Sequence, residues 1–575
     1  MAFYNVSVAA RLAAQASPSV SVEKGTYRMC MPSRRTPSKL RRRPRDTPAT
    51  TIEKQMALLV VFLVCATITC FGTAYYLFTT RWDTWALRSS LVDGSDAVLL
   101  PQVDVISSDT SSLLVSLPGI VKSVLGSVSE EDERPVDGER YLGYLPHSGF
   151  HNQRIAFENA LVLSRLLNRT LLVPPVRLSS KPLTYQPFNV LHEVLVNDTK
   201  IGHERCGQPQ LDDEWAQRCA AYAEYTHVPW DWLIDLTPIK QEQRLLQHWN
   251  FTDAWLSDNL KIAANDTFAL RDTNRTDYSF QDFTTFKSTL GRKYQHALHL
   301  STLAHRPERL LQLGTLFGSS RLHLRDRGNV RVRSDVRKTM AFANPHLMAV
   351  ADAIRDKLGG TYLGAHVRLG DGFFLDRGEA SVRLVWWKLL YALAFTTEEI
   401  SSLERWLVLN HTKSEHEDLN NLAPPYIPPD TPSLRVPHPS LPALPIPPQS
   451  SKLVCSTTMH TSAVSNPSRL DLLNTPLFLA TDAATPRNST LLERFTRTFP
   501  CTFFLEDFPV QTSVLDSLHG TRDGVALRQF VLPFLEAMVA SRAWDVVGTE
   551  GSTFSSFVKD VLWRTYHGWE IVQRG

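Results

Sequence analysis

One uninterrupted apolar segment constrains this 575-residue chain more than any other feature. Residues 56–78 read MALLVVFLVCATITCFGTAYYLF and contain no charged side chain. A helix of this length measures about 34 Å, enough to cross a hydrocarbon layer of roughly 30 Å. Tyr75, Tyr76 and Trp82 lie at its C-terminal end, where aromatic rings favour the headgroup layer. The sequence therefore predicts a single transmembrane signal-anchor, and a buried core helix is the alternative.

Basic residues are concentrated before this segment. Residues 1–55 hold eleven Lys or Arg against three acidic residues, a net charge of +8, so the formal +3 of the whole chain leaves −5 for residues 56–575. Because basic flanks remain in the cytosol, we expect a type II protein with a basic cytosolic tail at 1–55 and a lumenal part in the Golgi or ER. The tail is a solvated arm or a contact for anionic lipid. The low total charge argues against nucleic acid as a partner.

The cysteines after the span suit an oxidising compartment. They form an even set of four disulfide candidates, Cys206, Cys219, Cys455 and Cys501. Local pairing, Cys206–Cys219 and Cys455–Cys501, is the simplest of three connectivities, and closing the first loop stabilises the fold by about 3 kcal/mol. Seven N-x-S/T sequons also follow the span. Cysteine and histidine lack zinc-ligand spacing, so no metal site is expected.

Composition and periodicity divide the lumenal part. Residues 79–138 are rich in Ser, Val and Asp without periodicity, which is typical of a stem. Short apolar strands then alternate with amphipathic helices, a pattern that predicts an α/β protein with parallel sheets. Two such groups, 139–340 and 341–575, predict two Rossmann-like domains facing a cleft. Residues 423–450 contain eleven prolines and predict a disordered insertion, or else a polyproline II segment for a partner.

The individual elements follow from apolar runs and their breakers. Glycine and proline end most of the runs, so the boundaries are set by local chemistry. The expected strands are 141–145, 170–173, 361–367, 477–480 and 544–547, and the expected helices are about 153–167, 341–357, 524–542 and from about 554.

Ligand-binding groups are expected in the loops at the carboxyl ends of parallel strands. The first loop is PHSGFHNQR, residues 146–154, where a Ser-Gly turn precedes a helix start with free N–H groups. The second is AHVRLGDGFF, residues 365–374, where His366 and Arg368 alternate onto one side of a strand end. Arginine offers a planar fork of donors that suits a diphosphate. An ordinary turn and an Arg368–Asp371 ion pair are the structural alternatives.

Two further strand ends carry polar groups. GTEGSTFSSF, residues 548–557, clusters four hydroxyls before a helix, which suits an anion but equally a common helix N-cap. LATDA ends a strand at Asp482, whose carboxylate is placed to accept hydrogen bonds from a base or ribose.

Taken in chain order, these four motifs resemble the GDP-fucose protein O-fucosyltransferase superfamily, specifically its fungal or plant-like branch. The resemblance extends over about residues 140–570. It implies a GT-B fold and an inverting, metal-independent transfer of fucose from GDP-fucose to a protein or glycan acceptor, with no cofactor. It assigns Arg368 to the donor β-phosphate as the catalytic residue. The remaining donor-binding positions that it implies are Gly149, Phe150, Asn152, His366, Asp482, Ser552, Thr553 and Phe554.

The resemblance leaves the general base open. The candidates are Glu158, Asp371 and Glu550, whose structural alternatives are a helix surface, a partner of Arg368 and a helix-start charge. Leu369 stands where many relatives carry a second arginine, and Ser148 where some carry a carboxylate. Two other functions stay open: a nucleotide-sugar or glycan-binding protein without catalysis, and a glycosyltransferase that uses another nucleotide-sugar.

Overall fold

The computed structural model describes residues 138–200, Cys206, Cys219, 221–247, 250–284, 293–370, 372–409, 424–427, 438–444 and 467–572. The predicted tail at 1–55, the membrane span at 56–78 and the stem at 79–138, apart from its last residue, lie outside this part and stay predictions. Residues 129–575 form one compact unit. Within the ranges just given, no helix has both the length and the apolar character needed to span a bilayer.

The described strands and helices alternate along the chain. The strands are β1 (Tyr141–Gly143), β2 (Thr170–Val173), β3 (Val176–Ser179), β4 (Tyr225–Val228), β5 (Leu245–Gln247), β6 (Thr267–Leu270), β7 (Tyr278–Gln281), β8 (His296–His299), β9 (Leu310–Leu313), β10 (Leu322–His323), β11 (Leu363–Val367), β12 (Leu477–Thr481), β13 (Thr502–Phe503) and β14 (Asp545–Gly548).

The described α-helices are α1 (Phe150–Leu166), α2 (Phe188–Asn197), α3 (Trp230–Leu233), α4 (Thr237–Lys240), α5 (Asp253–Leu260), α6 (Leu300–Ala304), α7 (Arg327–Lys338), α8 (Pro345–Lys357), α9 (Gly372–Asp376), α10 (Gly378–Ala392), α11 (Thr397–Leu409), α12 (Pro467–Leu470), α13 (Glu493–Thr498), α14 (Pro509–Thr512), α15 (Arg528–Ser541), α16 (Thr553–Ser556) and α17 (Arg564–Tyr566). A π-helix, Phe557–Trp563, joins α16 to α17.

The first sheet is parallel and contains five of the described strands in the order β5-β2-β1-β9-β6. Every residue of β1 and β2 is buried, as expected of strands covered on both faces. Helix α1 connects β1 to β2 and packs against both, which confirms the predicted βαβ opening. Beside this sheet lie a parallel β10-β7-β8 sheet and an antiparallel β3-β4 pair.

The second sheet is also parallel, in the order β13-β12-β11-β14. His366 pairs with Ala480 on β12 and with Gly548 on β14. The carboxyl ends of β11, β12 and β14 therefore lie side by side, and three of the four predicted motifs meet at one edge. The predicted α/β class with parallel sheets is confirmed, while the domain division at 340/341 stays a prediction.

Helix boundaries differ from the expected ones where a capping residue decides them. Helix α8 begins at Pro345 instead of 341, because Asn344 accepts a hydrogen bond from the Leu347 N–H and proline suits the first helical position. Helix α1 begins at Phe150 instead of 153, so its first turn belongs to the PHSGFHNQR motif.

One apolar cluster joins the two sheets. It contains Leu171 of β2 and Phe478 of β12. Phe150 belongs to this cluster and is 8% exposed, with its ring centroid 5.3 Å from that of Phe342 and 4.6 Å from that of Phe534. Aromatic rings bury large apolar areas, so this cluster fixes the start of α1 against α15.

Part of the proline-rich segment 423–450 packs onto the fold. The His438 ring stacks on Trp569 with centroids 4.6 Å apart, and the Trp544 indole N–H donates to the Pro442 carbonyl at 2.7 Å. Leu441 packs against the main apolar cluster. Residues 438–444 therefore contact the rest of the fold, and the disordered insertion at 423–450 stays a prediction.

The structure contains a disulfide between Cys206 and Cys219, whose Cα atoms are 5.4 Å apart. Cys501 is also disulfide-bonded. Cys455 lies outside the described residues, so its pairing with Cys501 stays a prediction.

Candidate functional site

The carboxyl edge of the second sheet holds Arg368 between two neighbouring strand ends. The Arg368 backbone N–H donates to Thr549 Oγ1 at 3.0 Å, just after β14. Its Nε lies 3.8 Å from Asp482 Oδ2, just after β12. The Leu369 N–H donates to the other carboxylate oxygen at 2.6 Å. Arg368 is thus hydrogen-bonded to Thr549 through its backbone and forms an ion pair with Asp482, which brings the two predicted residues together.

Glycine at position 370 is required by the close approach of Asp482. A Cβ atom on Gly370 would lie 2.8 Å from Asp482 Oδ2, which is closer than real Cβ contacts allow. Asp482 is a carboxylate that the structure places beside Arg368. Asp371 lies outside the described residues, so the Arg368–Asp371 ion pair stays a prediction. The Arg368 side chain is 32% exposed, while its Nε atom is buried.

His366 is a buried neighbour of this unit. It is 5% exposed, its Nδ1 lies 2.7 Å from Ser555 Oγ, and its carbonyl accepts from the Thr549 N–H at 3.0 Å. Burial, more than the opposing charge of Asp482, lowers the pKa of His366 to about 4. The ring is therefore neutral at physiological pH, and it joins β11 to the loop after β14.

The loop after β14 is shaped by a helix N-cap. Ser552 Oγ accepts from the Ser555 N–H at 3.2 Å, and Ser552 is 1% exposed. Thr553 and Phe554 are half-buried, with the Phe554 ring 5.2 Å from that of His366. Of the three predicted donor contacts in this loop, Thr553 and Phe554 are accessible to a ligand and Ser552 is enclosed.

A lysine that the motifs did not indicate lies beside this loop. Lys388 Nζ on α10 lies 3.2 Å from Glu550 Oε2. Together with Lys559 they border a small cavity, also lined by the hydroxyls of Thr549 and Ser555. Lys388 and Glu550 are 162 positions apart, so no local pattern could have linked them.

The first loop reaches this region through an aromatic contact. Gly149 caps α1, and nothing lies within 4 Å of where its Cβ would be, so the helix start faces open space. The His151 ring lies 5.1 Å from that of Phe557, which follows α16. Asn152 is half-buried, and its Oδ1 accepts no hydrogen bond from the described residues. Phe150, by contrast, is a packing residue of the apolar cluster.

Of the candidate general bases, Glu158 is buried and bound to arginine side chains within the fold. It is 1% exposed, accepts two hydrogen bonds from Arg337 at 2.8 and 3.0 Å, and lies 3.5 Å from Arg154. The expectation that Glu158 lies on a helix surface is wrong, because α7 covers that face of α1. Glu550 is paired with Lys388.

Sequence reasoning also missed Glu536, which lies on α15 among buried Phe534, Leu535 and Ala537. Desolvation raises the pKa of Glu536 to about 8, and the negative charge of Asp482 adds to this effect. A hydrogen bond from the Thr481 backbone acts in the opposite direction. A glutamate within the apolar run VLPFLEAMVA was the available signal.

Replacing Glu536 by glutamine is expected to flatten the pH dependence of stability. The raised pKa means that the stabilising contribution of the protonated carboxyl is complete below about pH 4.5 and is lost as the pH rises towards 8. Glutamine keeps the shape without ionising, so the unfolding free energy of Glu536→Gln should change less between pH 5 and 7.5 than that of wild type. Urea denaturation at pH 5 and 7.5 measures this, with exposed Glu398→Gln as the matched control. Equal pH dependence in Glu536→Gln and wild type would contradict it.

Among the described residues, no group of three or more His, Cys, Asp or Glu side chains is arranged to hold a metal ion.

Comparisons with known proteins agree with the motifs. The family model for GDP-fucose protein O-fucosyltransferase matches residues 141–376. O-fucosyltransferase 30 of Arabidopsis thaliana is 50% identical over 48 residues, which are 8% of this chain and 10% of that protein. The chain thus aligns with about a tenth of the length of this curated relative.

Solved structures of POFUT1 share a distant likeness. The complex with GDP-fucose is 10% identical with a TM-score of 0.30, over 74% of this chain and 94% of that one. A complex with GDP is 11% identical with a TM-score of 0.32, over 76% of this chain and 99% of that one. The match of residues 141–376, which include the first and second motifs, shows that this part of the chain is similar to GDP-fucose protein O-fucosyltransferases.

Proposed function

We propose that this chain is an enzyme that transfers fucose from GDP-fucose to a hydroxyl group of a protein or glycan acceptor, with inversion and without a bound metal. The match of residues 141–376 to the family model supports the reaction class. The observation that carries the proposal is the placement of Arg368 beside Thr549 and Asp482, at the ends of two strands, with its side chain 32% exposed.

The proposed mechanism is electrostatic. The bond between the fucose anomeric carbon and the β-phosphate oxygen breaks, and negative charge accumulates on the departing GDP. The guanidinium of Arg368 donates to those oxygens where the charge develops, which lowers the barrier. The acceptor oxygen bonds to the opposite face of the anomeric carbon, and its proton passes to the departing diphosphate.

The other donor contacts are proposals of the same kind. Thr553 and Phe554 contact one side of the donor diphosphate. Asn152 and the N–H groups at the start of α1, after Gly149, contact the donor from the side of the first sheet. Asp482 recognises the guanine or ribose with an oxygen lone pair not used by Leu369. Support comes from the half-exposed positions of Thr553, Phe554 and Asn152.

We further propose that the two parallel sheets are the two lobes of a GT-B fold. We also propose that residues 56–78 anchor the enzyme in the membrane as a type II protein of the Golgi or ER. The apolar length of 56–78 and the basic excess before it support this topology.

A binding experiment tests the function directly. The detergent-solubilised full chain should bind GDP in calorimetry with EDTA present, and should prefer GDP-fucose to GDP-mannose and UDP-sugars in thermal shift. Incubation with labelled GDP-fucose and a source-cell extract should label an acceptor. GDP binding without hydrolysis or transfer would instead indicate a non-catalytic binding protein, and preference for another nucleotide-sugar would refute the donor assignment.

A further inference from the structure

Part of the proline-rich segment follows a three-residue repeat that the donor site does not use. Residues 438–446 read HPS-LPA-LPI, three triplets with proline in the middle position of each. Proline restricts the residue before it to extended conformations, so the first residue of each triplet is held extended. In a polyproline II helix, which has three residues per turn, the first residues His438, Leu441 and Leu444 line up along one edge.

The contacts of this segment recur with the same period. The His438 ring contacts two tryptophans. Leu441 packs against the apolar cluster that joins the two sheets, and Leu444 packs against a second apolar cluster around β11 and α10. Both leucines are half-buried, whereas the residues between the three contacts are exposed: Pro439, Ser440, Pro442 and Ala443. A β-strand would bring every second residue onto one side, so contacts at every third residue favour polyproline II.

Although His438 is an exposed residue, its ring lies in a corner formed by two indole rings. Trp563 and Trp569 have ring centroids 4.9 Å apart and are inclined at 78°. The His438 ring is inclined at only 13° to Trp569, with centroids 4.6 Å apart, and meets Trp563 edge to face at 5.2 Å and 89°. Stacked and edge-to-face arrangements are the ones that aromatic rings prefer, so this corner is shaped to hold one flat ring.

A third tryptophan fixes the register of the segment. The Trp544 indole N–H donates to the Pro442 carbonyl at 2.7 Å. A polyproline II backbone makes no internal hydrogen bonds, so its carbonyls are open to such donors. Proline-rich ligands bind in aromatic-lined grooves because their helix is already formed and loses little entropy on binding. Trp544, Trp563 and Trp569, which we call the tryptophan groove, have the chemistry of such a site.

Two of these tryptophans flank the donor loop, residues 549–556. Trp544 directly precedes β14, and Trp563 ends the π-helix that follows the loop. The Trp563 indole N–H donates to the Ala543 carbonyl at 3.2 Å, which joins the strand and the helix at the end away from the loop. The segment 438–444 crosses this junction, because it contacts both tryptophans. Since the strand and the helix carry the loop between them, their relative position sets where the loop lies.

We propose that the tryptophan groove is a polyproline II binding surface whose occupant is the chain's own segment 438–444, and that this intramolecular contact positions the donor loop. The binding surface depends only on the contacts above. The positioning role rests on the proposed function, because it concerns a loop assigned to the donor. A tethered ligand reaches an effective concentration on the order of millimolar, so a free peptide competes poorly with it.

Variants of the segment separate the edge that contacts the fold from the exposed positions. The edge variant keeps every proline and replaces the three contact residues, His438→Ser, Leu441→Ser and Leu444→Ser. Its matched control changes two exposed positions of the same segment, Ser440→Asn and Ala443→Ser. Both are made in the detergent-solubilised full chain.

A peptide supplied from outside then tests the groove. A fluorescent peptide of residues 438–446 is titrated into each protein, next to a peptide of the same composition whose prolines are out of the three-residue period. Fluorescence anisotropy measures peptide binding, and calorimetry measures GDP affinity with and without saturating peptide.

The repeat peptide should bind the edge variant at least about tenfold more tightly than wild type or the control, whose grooves are filled. The scrambled peptide should bind none of them. GDP affinity should fall about fivefold in the edge variant, and saturating repeat peptide should restore it to within about twofold of wild type. By linkage, GDP should tighten peptide binding to the edge variant by the same factor.

Trp569→Leu gives an independent measurement if the edge variant does not fold. It removes the stacking surface and leaves the segment unchanged, so GDP affinity should fall and the peptide should not restore it. Absence of peptide binding to the folded edge variant, or equal binding of the two peptides, would overturn the binding surface. Unchanged GDP affinity in the edge variant or in Trp569→Leu would overturn the positioning role. A wild-type chain that does not bind GDP would overturn the proposed function together with that role, while the peptide titration would still decide the binding surface.

Discussion

Replacing Arg368 by alanine is expected to reduce fucose transfer by about a thousandfold. The variant loses a permanently charged guanidinium that lies 3.8 Å from Asp482 at the carboxyl edge of the second sheet. That charge is needed when the bond to the β-phosphate breaks, so the loss should appear in kcat more than in the affinity for GDP-fucose. Initial rates at saturating donor measure it.

Two further variants separate charge from geometry. Arg368→Lys keeps the charge but loses the planar fork, so we expect an intermediate rate, about tenfold to a hundredfold below wild type. Arg377→Ala is the matched control: Arg377 is exposed, lies nine positions along the same segment and contacts the Phe373 ring, not the strand ends. Full activity in Arg368→Ala, or an equal loss in Arg377→Ala, would refute the mechanism.

The strands that carry the site were predictable because each depends on local sequence. Thr170–Val173 is bounded by Pro174-Pro175, and β11 is an apolar run that follows two glycines. Adjacency of parallel strand ends then brings Arg368 and Asp482 together without further information. The positions of the motif residues at the strand ends could therefore be predicted from the sequence.

The partners of those residues were not predictable, because they come from distant parts of the chain. Lys388 reaches Glu550 across 162 positions, and Arg337 reaches Glu158 across 179. A charged residue in a helix is usually solvated, so the pattern of α1 favoured a surface position for Glu158. The packing of α7 against α1 in the structure shows that the face of α1 that carries Glu158 is also covered.

Replacing Glu158 by glutamine is expected to destabilise the fold by about 3 to 5 kcal/mol, the cost of breaking a buried ion pair. Glu158 is 1% exposed and Arg154 is 0% exposed, so removing the carboxylate charge takes away an acidic partner 3.5 Å from a buried guanidinium. Arg337, which is 22% exposed, can turn towards water and loses less. The free energy of unfolding from urea titration at pH 7 measures the effect.

Glu242→Gln is the matched control for this change. Glu242 pairs with Arg165, also on α1, but the two side chains are 53% and 30% exposed. Exposed pairs contribute between about 0 and 1 kcal/mol, so this variant should unfold close to wild type. Similar unfolding free energies for Glu158→Gln and Glu242→Gln would show that the buried cluster is not stabilised as its geometry indicates.

The same variant decides between the two roles considered for Glu158. A general base acts in the chemical step, so its loss would lower kcat at a temperature where the variant is fully folded. A structural carboxylate, bound to Arg337 and next to Arg154, leaves kcat unchanged there and lowers only the melting temperature. We expect the second result, because both carboxylate oxygens face arginine and the side chain has no open surface for an acceptor hydroxyl.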